Sequence, residues 1–199
     1  MTKYTGKILR AFFKKITVIA ASPAAEHLFN FRDDKDTKYL LEDQSKSFRH
    51  TIAQIIFMSS WEHRDVQIAV EFFTTRVKNP KEDDCGKLKR VCKYLNGTIY
   101  MKLKLMVENM SLIRWWVDDS YNVDWDIRGH NGAMMTLVKG DIISNSNKQK
   151  LNINSSTEGE IFAIHYQLPD ILLILYFIEA QGYTIDKVLY TRTISLPSG

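Results

Sequence analysis

Two cysteines and four prolines are all that 199 residues contain of either type, and no apolar run is long. The most apolar stretch, residues 171–178 (ILLILYFI), falls well short of the ~20 residues that cross a bilayer. Read as an uninterrupted run, the sequence therefore contains no membrane span, and no membrane partner is expected. Two sulfurs are too few for a disulfide scaffold, and no histidine stands at ligand spacing to complete a zinc site. Cys85 and Cys92 are seven apart, two turns along one helix face, and read as reduced thiols in a cytoplasmic or nuclear protein. The Asn-x-Ser/Thr sequons at Asn96, Asn109 and Asn154 are then accidental. A large surplus of one charge is also missing. Lys plus Arg total 27 against 23 Asp plus Glu, a net charge of +4, well short of a purely electrostatic nucleic-acid binder. There is no Gly-rich phosphate loop and no G-x-S-x-G elbow, and His27, His50, His63, His130 and His165 show no triad spacing.

What is present is enough to build a core: 45% of residues are hydrophobic, 12% aromatic and 25% charged, which excludes disorder and low complexity. Near the start, Lys3, Lys7, Arg10, Lys14 and Lys15 surround Ile8, Leu9, Phe12 and Phe13. Charge breaks this apolar run, which is too short for a secretory signal, so an amphipathic helix or an irregular arm is expected. Residues 1–44 form this arm, ending in the turn-rich run 32–44 (RDDKDTKYLLEDQ). Helical periodicity starts at Ser45 and carries Phe48, Ile52, Ile55 and Ile56; a second helix is expected over 64–76 and a third over 83–95. The third has Leu88, Val91, Cys92 and Leu95 as its stripe, with Asp83 and Asp84 at its positive end and Asn96-Gly97 closing it.

After Gly97 the period moves toward two. Residues 100–107 (YMKLKLMV) alternate, and 112–117, 132–138 and 141–146 follow as consecutive antiparallel strands. Ser156 or Thr157 caps a helix through Leu168, Pro169 starts another ending at Gly182, and 187–190 (KVLY) is a last strand. Helices, then three antiparallel strands, then crossover helices and a further strand make an α+β fold, with segments 1–44, 45–98 and 99–199.

Two groups could carry chemistry. Asp118 and Asp119 close one strand, with Asp124 and Asp126 beyond, while Glu158 and Glu160 open the next helix. Such carboxylates could converge on a divalent metal pair, although turns and helix N-termini attract acids for capping reasons alone. Lys87, Lys89, Arg90 and Lys93 lie opposite the apolar stripe of their helix and, with Lys148 and Lys150, could track phosphates; a solvated helix face is the plainer reading. Trp115 and Trp116 must point to opposite faces of their strand.

Several blocks together resemble copia-type retrotransposon Pol polyproteins. They are 64–75 (RDVQIAVEFFTT), 86–98 (GKLKRVCKYLNGT), 116–118 (WVD) with Ser120-Tyr121, 129–135 (GHNGAMM) and, most specific, 155–160 (SSTEGE). The resemblance spans nearly the whole chain from Glu26, with all blocks in the family's order and spacing. It implies a helical connection over 45–98 and a ribonuclease H-like domain over 99–199. The polymerase Tyr-x-Asp-Asp motif belongs to an upstream reverse-transcriptase region, so this chain is not expected to polymerise DNA.

The family cleaves RNA in RNA–DNA hybrids with two magnesium ions. By resemblance Asp118 is the first-strand aspartate and Glu160 the helix glutamate, both metal ligands, with Glu158 a neighbouring non-ligand. The third carboxylate belongs in a pattern like (V/I)LY-x-D-N, but here the run is Val188-Leu189-Tyr190-Thr191-Arg192-Thr193. Arg192 stands where the aspartate should be, removing a ligand and adding repulsion, while Asp186 sits at the far end of the strand. The chain also stops at Gly199, before the family's further helix and last acidic or histidine position, which implies an incomplete domain. The expectation is a degenerate, catalytically inactive relative with residual hybrid binding. An active Mg2+-dependent ribonuclease H and a domesticated protein-interaction module remain the alternatives.

Overall fold

The computed structural model describes residues 2–25, 28, 38–107, 111–120, 130–137, 139–149, 153 and 155–192, with backbone alone for 119, 120, 130, 148, 156 and 192. Two compact units divide the chain, Met1–Leu103 and Lys104–Gly199.

The first unit is helical: α1 (Thr2–Ala11), α2 (Glu42–Trp61), α3 (Gln67–Thr74) and α4 (Glu82–Gly97), with a 3-10 turn at Arg64–Val66 leading into α3. The three-and-four spacing expected from the sequence is what the core uses. Phe48, Ile52, Ile55 and Met58 from α2 meet Val70 and Phe73 from α3 and Leu88, Val91, Cys92 and Leu95 from α4 in one buried cluster. Phe48 and Phe73 meet edge to face, 6.1 Å between centroids, the arrangement that their ring quadrupoles favour. The basic N-terminal run is a helix, not an irregular arm, and it is anchored: Ile8 and Phe12 are buried in the same cluster. At the head of α4, the Lys81 backbone N–H donates to the Asp84 carboxylate at 2.9 Å, which satisfies a donor that the first helical turn leaves open.

The second unit is a four-stranded sheet with one helix. The strands β1 (Leu112–Ser120), β2 (His130–Thr136), β3 (Asp141–Lys148) and β4 (Lys187–Arg192) lie in the order β3-β2-β1-β4, and α5 (Ser156–Ala180) joins β3 to β4. β1–β2 and β2–β3 are antiparallel, whereas β4 runs parallel to β1 from Leu112↔Lys187 to Val117↔Arg192. The element order is the α+β, ribonuclease H-like one expected from the sequence, an antiparallel meander, a helical crossover and a further strand; the structure adds that this strand is parallel to the first and beside it. Ile113, Trp115 and Val117 of β1 and Ala133 and Met135 of β2 share one buried face with Ala163, Ile171 and Ile178 of α5. Arg114, Trp116 and Asp118 belong to the other face by the period of two. Trp115 is fully buried, and Trp116 is half-buried with its indole N–H donating to Thr136 Oγ1 at 3.3 Å.

Four details differ from the sequence reading. Residues 100–107 alternate in hydropathy but form no strand; one bridge, Met106↔Lys139, is all the pairing they make among the described residues. Met101, Leu105 and Val107 are exposed, because alternation makes a strand only where a neighbour supplies a ladder. The helix cap is Ser155, not Ser156 or Thr157: its hydroxyl accepts from the Glu158 N–H at 3.2 Å. The expected break at Pro169 is absent, since α5 runs through it. A mid-helix proline forfeits one hydrogen bond, and burial of Ala163, Gln167, Ile171 and Ile178 on both sides of it holds the segment helical. Because the helix is continuous, its Thr157–Ala180 part is long and apolar enough, by length and composition alone, to cross a membrane, which counting uninterrupted runs had excluded. Its sheet-facing stripe is committed to the core, while Leu173, Tyr176 and Phe177 are exposed. At its end Gly182 adopts φ +88°, its N–H bonds the Glu179 carbonyl at 2.9 Å and the Tyr183 N–H reaches Ile178 at 3.3 Å, the glycine stop expected for this helix.

The turn into β3 generates a prediction. Gly140 has φ +74°, and a Cβ there would overlap the Lys104 carbonyl oxygen. Backbone strain and backbone overlap add, so Gly140→Ala should lower stability by about 2 kcal/mol or more, read as a lower urea midpoint; an unchanged midpoint would contradict this turn geometry.

Candidate functional site

The strand directions decide which candidate residues meet. β1 and β4 are parallel, so their C-terminal ends share one edge of the sheet. Two antiparallel steps return β3 to the direction of β1, so Lys148 ends β3 at that edge too. Residues 149–155 then lead into α5, whose far end must reach the start of β4 at the opposite edge. Asp118, the backbone of Arg192, and Glu158 and Glu160 in the first turns of α5 therefore lie toward the same end of the unit. In register, Arg192 pairs with Val117, next to Asp118.

Sharing an end does not complete a site. Asp118 is exposed and lies opposite Gly132, which offers no side chain. It belongs to the face carrying Arg114 and Trp116, whereas α5 packs on the face of Trp115 and Val117. Glu160 is half-buried three residues before the fully packed Ala163, toward the stripe that meets the sheet. Asp186 is exposed before β4, at the opposite edge, where its N–H donates to the Ser111 carbonyl at 3.0 Å. Asp124, Asp126 and Lys150 lie outside the described residues, as does the side chain of Asp119. Among the described residues no group of three or more His, Cys, Asp or Glu is placed to hold a metal ion. Two carboxylates with an arginine at the third position do not fit a two-metal centre, because the divalent pair needs anionic charge where Arg192 brings a cation.

The basic residues of α4 are arranged differently from a solvated face. With Leu88, Val91, Cys92 and Leu95 turned into the core, Lys87, Lys89, Arg90 and Lys93 fall on the other side. They are half-buried there, beside residues 19–25 and Leu28. Gly97 lets that segment come close: Ile19 Cβ lies 3.2 Å from where a Gly97 Cβ would stand. Lys87 Nζ donates to the Leu28 carbonyl at 2.9 Å, pairs with Asp83 at 3.3 Å and lies 5.0 Å from the Phe72 ring centre. Arg90 Nη2 donates to Ser22 Oγ at 3.1 Å, and Ser22 Oγ donates in turn to the Ala24 carbonyl at 2.8 Å. Between the two elements is a cavity of about 440 Å³, within the range of small-ligand sites. The sequence marks the cations but gives no sign of the wall facing them, whose nearest described residue, Leu28, is 59 positions from Lys87. Lys148 belongs to the other unit.

One buried polar group escaped the sequence reading altogether. His63, 1% exposed, faces Asp65 with Nδ1 3.5 Å from Oδ1, and the Tyr94 hydroxyl donates to the other Asp65 oxygen. Burial opposes ionisation of Asp65, but the His63 and Tyr94 contacts outweigh it and hold the carboxyl below its ordinary value of 3.8. Burial and the same aspartate push Tyr94 up to about 12. The two thiols sit in the core as their spacing requires. Burial raises both, Cys92 to about 12.

No family model matches the chain, and no curated protein does. Among solved structures the chain is similar to a foamy viral protease-reverse transcriptase (dRH) in complex with double-stranded DNA, with 10% identity and a TM-score of 0.48. That match covers 100% of this chain and 36% of the other, so the chain spans about a third of that structure's length.

Two outcomes follow. A thiol raised from 9.0 to about 12 loses thiolate roughly a thousandfold at pH 8, so Cys92 should resist iodoacetamide in the native chain and alkylate in urea; equal rates would refute its burial. For Asp65 the folded pKa is depressed, so its stabilisation is present above pH 3.8 and disappears as pH falls through the folded value. Asp65→Asn should cost about 1 kcal/mol at pH 7 and flatten the loss of stability on acidification, measured by denaturant titration from pH 7 to 3.

Proposed function

We propose that this chain is a retroelement Pol derivative of the copia type, a ribonuclease H-like protein that binds RNA–DNA hybrid without cutting it. The observation that carries the reading is the register of β4: the strand position beside Val117, adjacent to Asp118, is an arginine. Support for the ancestry comes from the ordered blocks, SSTEGE above all, and from the meander–crossover–parallel order of the sheet, which those blocks imply. A nuclease of this class needs anionic oxygen at three points around its metals to activate water and stabilise the leaving oxygen; by the resemblance Asp118 and Glu160 would be two of them, and Arg192 stands at the third. Binding draws on a different part of the molecule. Lys87, Lys89, Arg90 and Lys93 sit within two turns of α4, where they can meet successive phosphates and release counterions.

The test uses the full chain and a labelled RNA–DNA hybrid. No cleavage is expected with Mg2+ or Mn2+, and binding at low salt should weaken steeply as salt rises. Replacing Lys87, Lys89 and Lys93 by Gln should reduce the slope of log affinity against log salt by about 2 to 3. Arg192→Asp that gains metal-dependent cleavage would locate the lesion. Cleavage by the unaltered chain that Asp118→Asn abolishes would overturn inactivity, and no binding at low salt would overturn the binding role.

A further inference from the structure

We propose that the cavity between α4 and residues 19–25 with Leu28 is a nucleotide site, with the phosphate on its cationic wall and the base on its apolar one. The proposal deepens the nucleic-acid-binding reading and rests on it in using the same helix, but it concerns one nucleotide held in a pocket and not a backbone tracked across a surface.

Charge is the first argument. Lys87, Lys89, Arg90 and Lys93 all line the cavity, and Asp83, bound to Lys87, is the one carboxylate among its described lining residues. Lys89, Arg90 and Lys93 form no salt bridge among the described residues, so within that set about three positive charges around one half-closed space have no paired carboxylate. Like charges this close repel, and partial burial strengthens the repulsion, so an anion entering between them removes an existing cost as well as making new bonds.

The second argument is a donor without an acceptor. Arg90 is fixed through Nη2 to Ser22, while its Nε is shielded from solvent and has no hydrogen-bond partner. A buried donor left unmade is costly. A guanidinium already oriented by one hydrogen bond is preorganised to present its remaining donors to a phosphate. The third argument is the facing wall. Ala20, Ala21, Pro23, Ala24 and Ala25 are small and apolar. A bare inorganic anion would leave that surface in contact with water, whereas a planar base covers it. The cavity volume of about 440 Å³ suits a molecule with both parts. This ligand chemistry has two sources, a free mononucleotide or the phosphorylated end of a strand.

The experiment is calorimetric titration of the full chain with AMP, adenosine and inorganic phosphate. AMP should bind at least tenfold tighter than either of the others, because each lacks one of the two contacts. Lys93→Gln and Arg90→Gln should each weaken AMP about tenfold. Ala24→Trp, which fills the cavity, should abolish AMP binding; circular dichroism of α2–α4 checks that the variant folds, and Lys93→Gln, at a half-exposed position, carries the test if it does not. Displacement of AMP by a 5′-phosphorylated oligonucleotide, with none by its 5′-hydroxyl twin, assigns the site to strand ends; no displacement by either assigns it to free nucleotide. AMP binding no tighter than adenosine, or unchanged by Lys93→Gln, overturns the proposal. Hybrid binding without AMP binding removes the pocket and leaves the backbone-binding role standing, and AMP binding without hybrid binding does the reverse.

Discussion

The parallel pairing of β4 with β1 constrains nearly everything else in the second unit. An antiparallel strand could have followed β3 after a tight turn, but a parallel neighbour of β1 requires the chain to cross the sheet from one edge to the other. α5 makes that crossing in 25 residues, and it must cover the face it crosses, which is why Ile113, Trp115 and Val117 are buried and their strand neighbours are not. The same pairing fixes register. Once Leu112 is opposite Lys187, Arg192 is opposite Val117, and a slip of one residue would turn Val188 out of the core. The placement of Arg192 beside the candidate carboxylate is thus a consequence of packing, not an independent feature.

The sequence made legible whatever depends on a residue's neighbours within one element. The stripes of α2 and α4, the opposite faces of Trp115 and Trp116, the thiols in the core and the glycine stop at Gly182 all follow from period and local backbone preference. What it concealed depends on partners far away in the chain. Residues 100–107 have a strand's pattern and no strand's neighbour. Pro169 has a helix breaker's chemistry, and the core contacts of Gln167 and Ile171 override it. The cations of α4 were visible, but their facing wall of small residues was not, because nothing in Ala20–Ala21 or Pro23–Ala25 marks it as a wall until Ile19 docks against Gly97. His63, Asp65 and Tyr94 likewise form a group only through the fold. The candidate carboxylates Asp118 and Glu160 could be picked out by residue type and position, but not that Asp118 belongs to one face of the sheet and α5 packs on the other.

Burial explains why the α4 face matters more than its charge count. A lysine on an open helix is hydrated on all sides, and a neighbouring cation costs it little. Residues 19–25 and Leu28 remove part of that hydration from Lys87, Lys89, Arg90 and Lys93, and Asp83 is the one carboxylate among the described residues that line the cavity with them. The Leu28 carbonyl and the Ser22 hydroxyl accept hydrogen bonds from two of the four cations, but neutral acceptors do not cancel charge. The fold therefore leaves this wall in need of an anion.

The two charged regions of the molecule differ in just this respect. At the sheet edge Asp118, Glu158 and Glu160 share their end of the unit with the backbone positions of Arg192 and Lys148, so acidic and basic residues occur together there. Around the cavity beside α4 there is one carboxylate to four cations among the described lining residues. A net charge of only +4 over the whole chain is thus unevenly spent. Among the described residues, the positive charge that could attract phosphate is concentrated on a single helix face, beside which residues 19–25 and Leu28 pack.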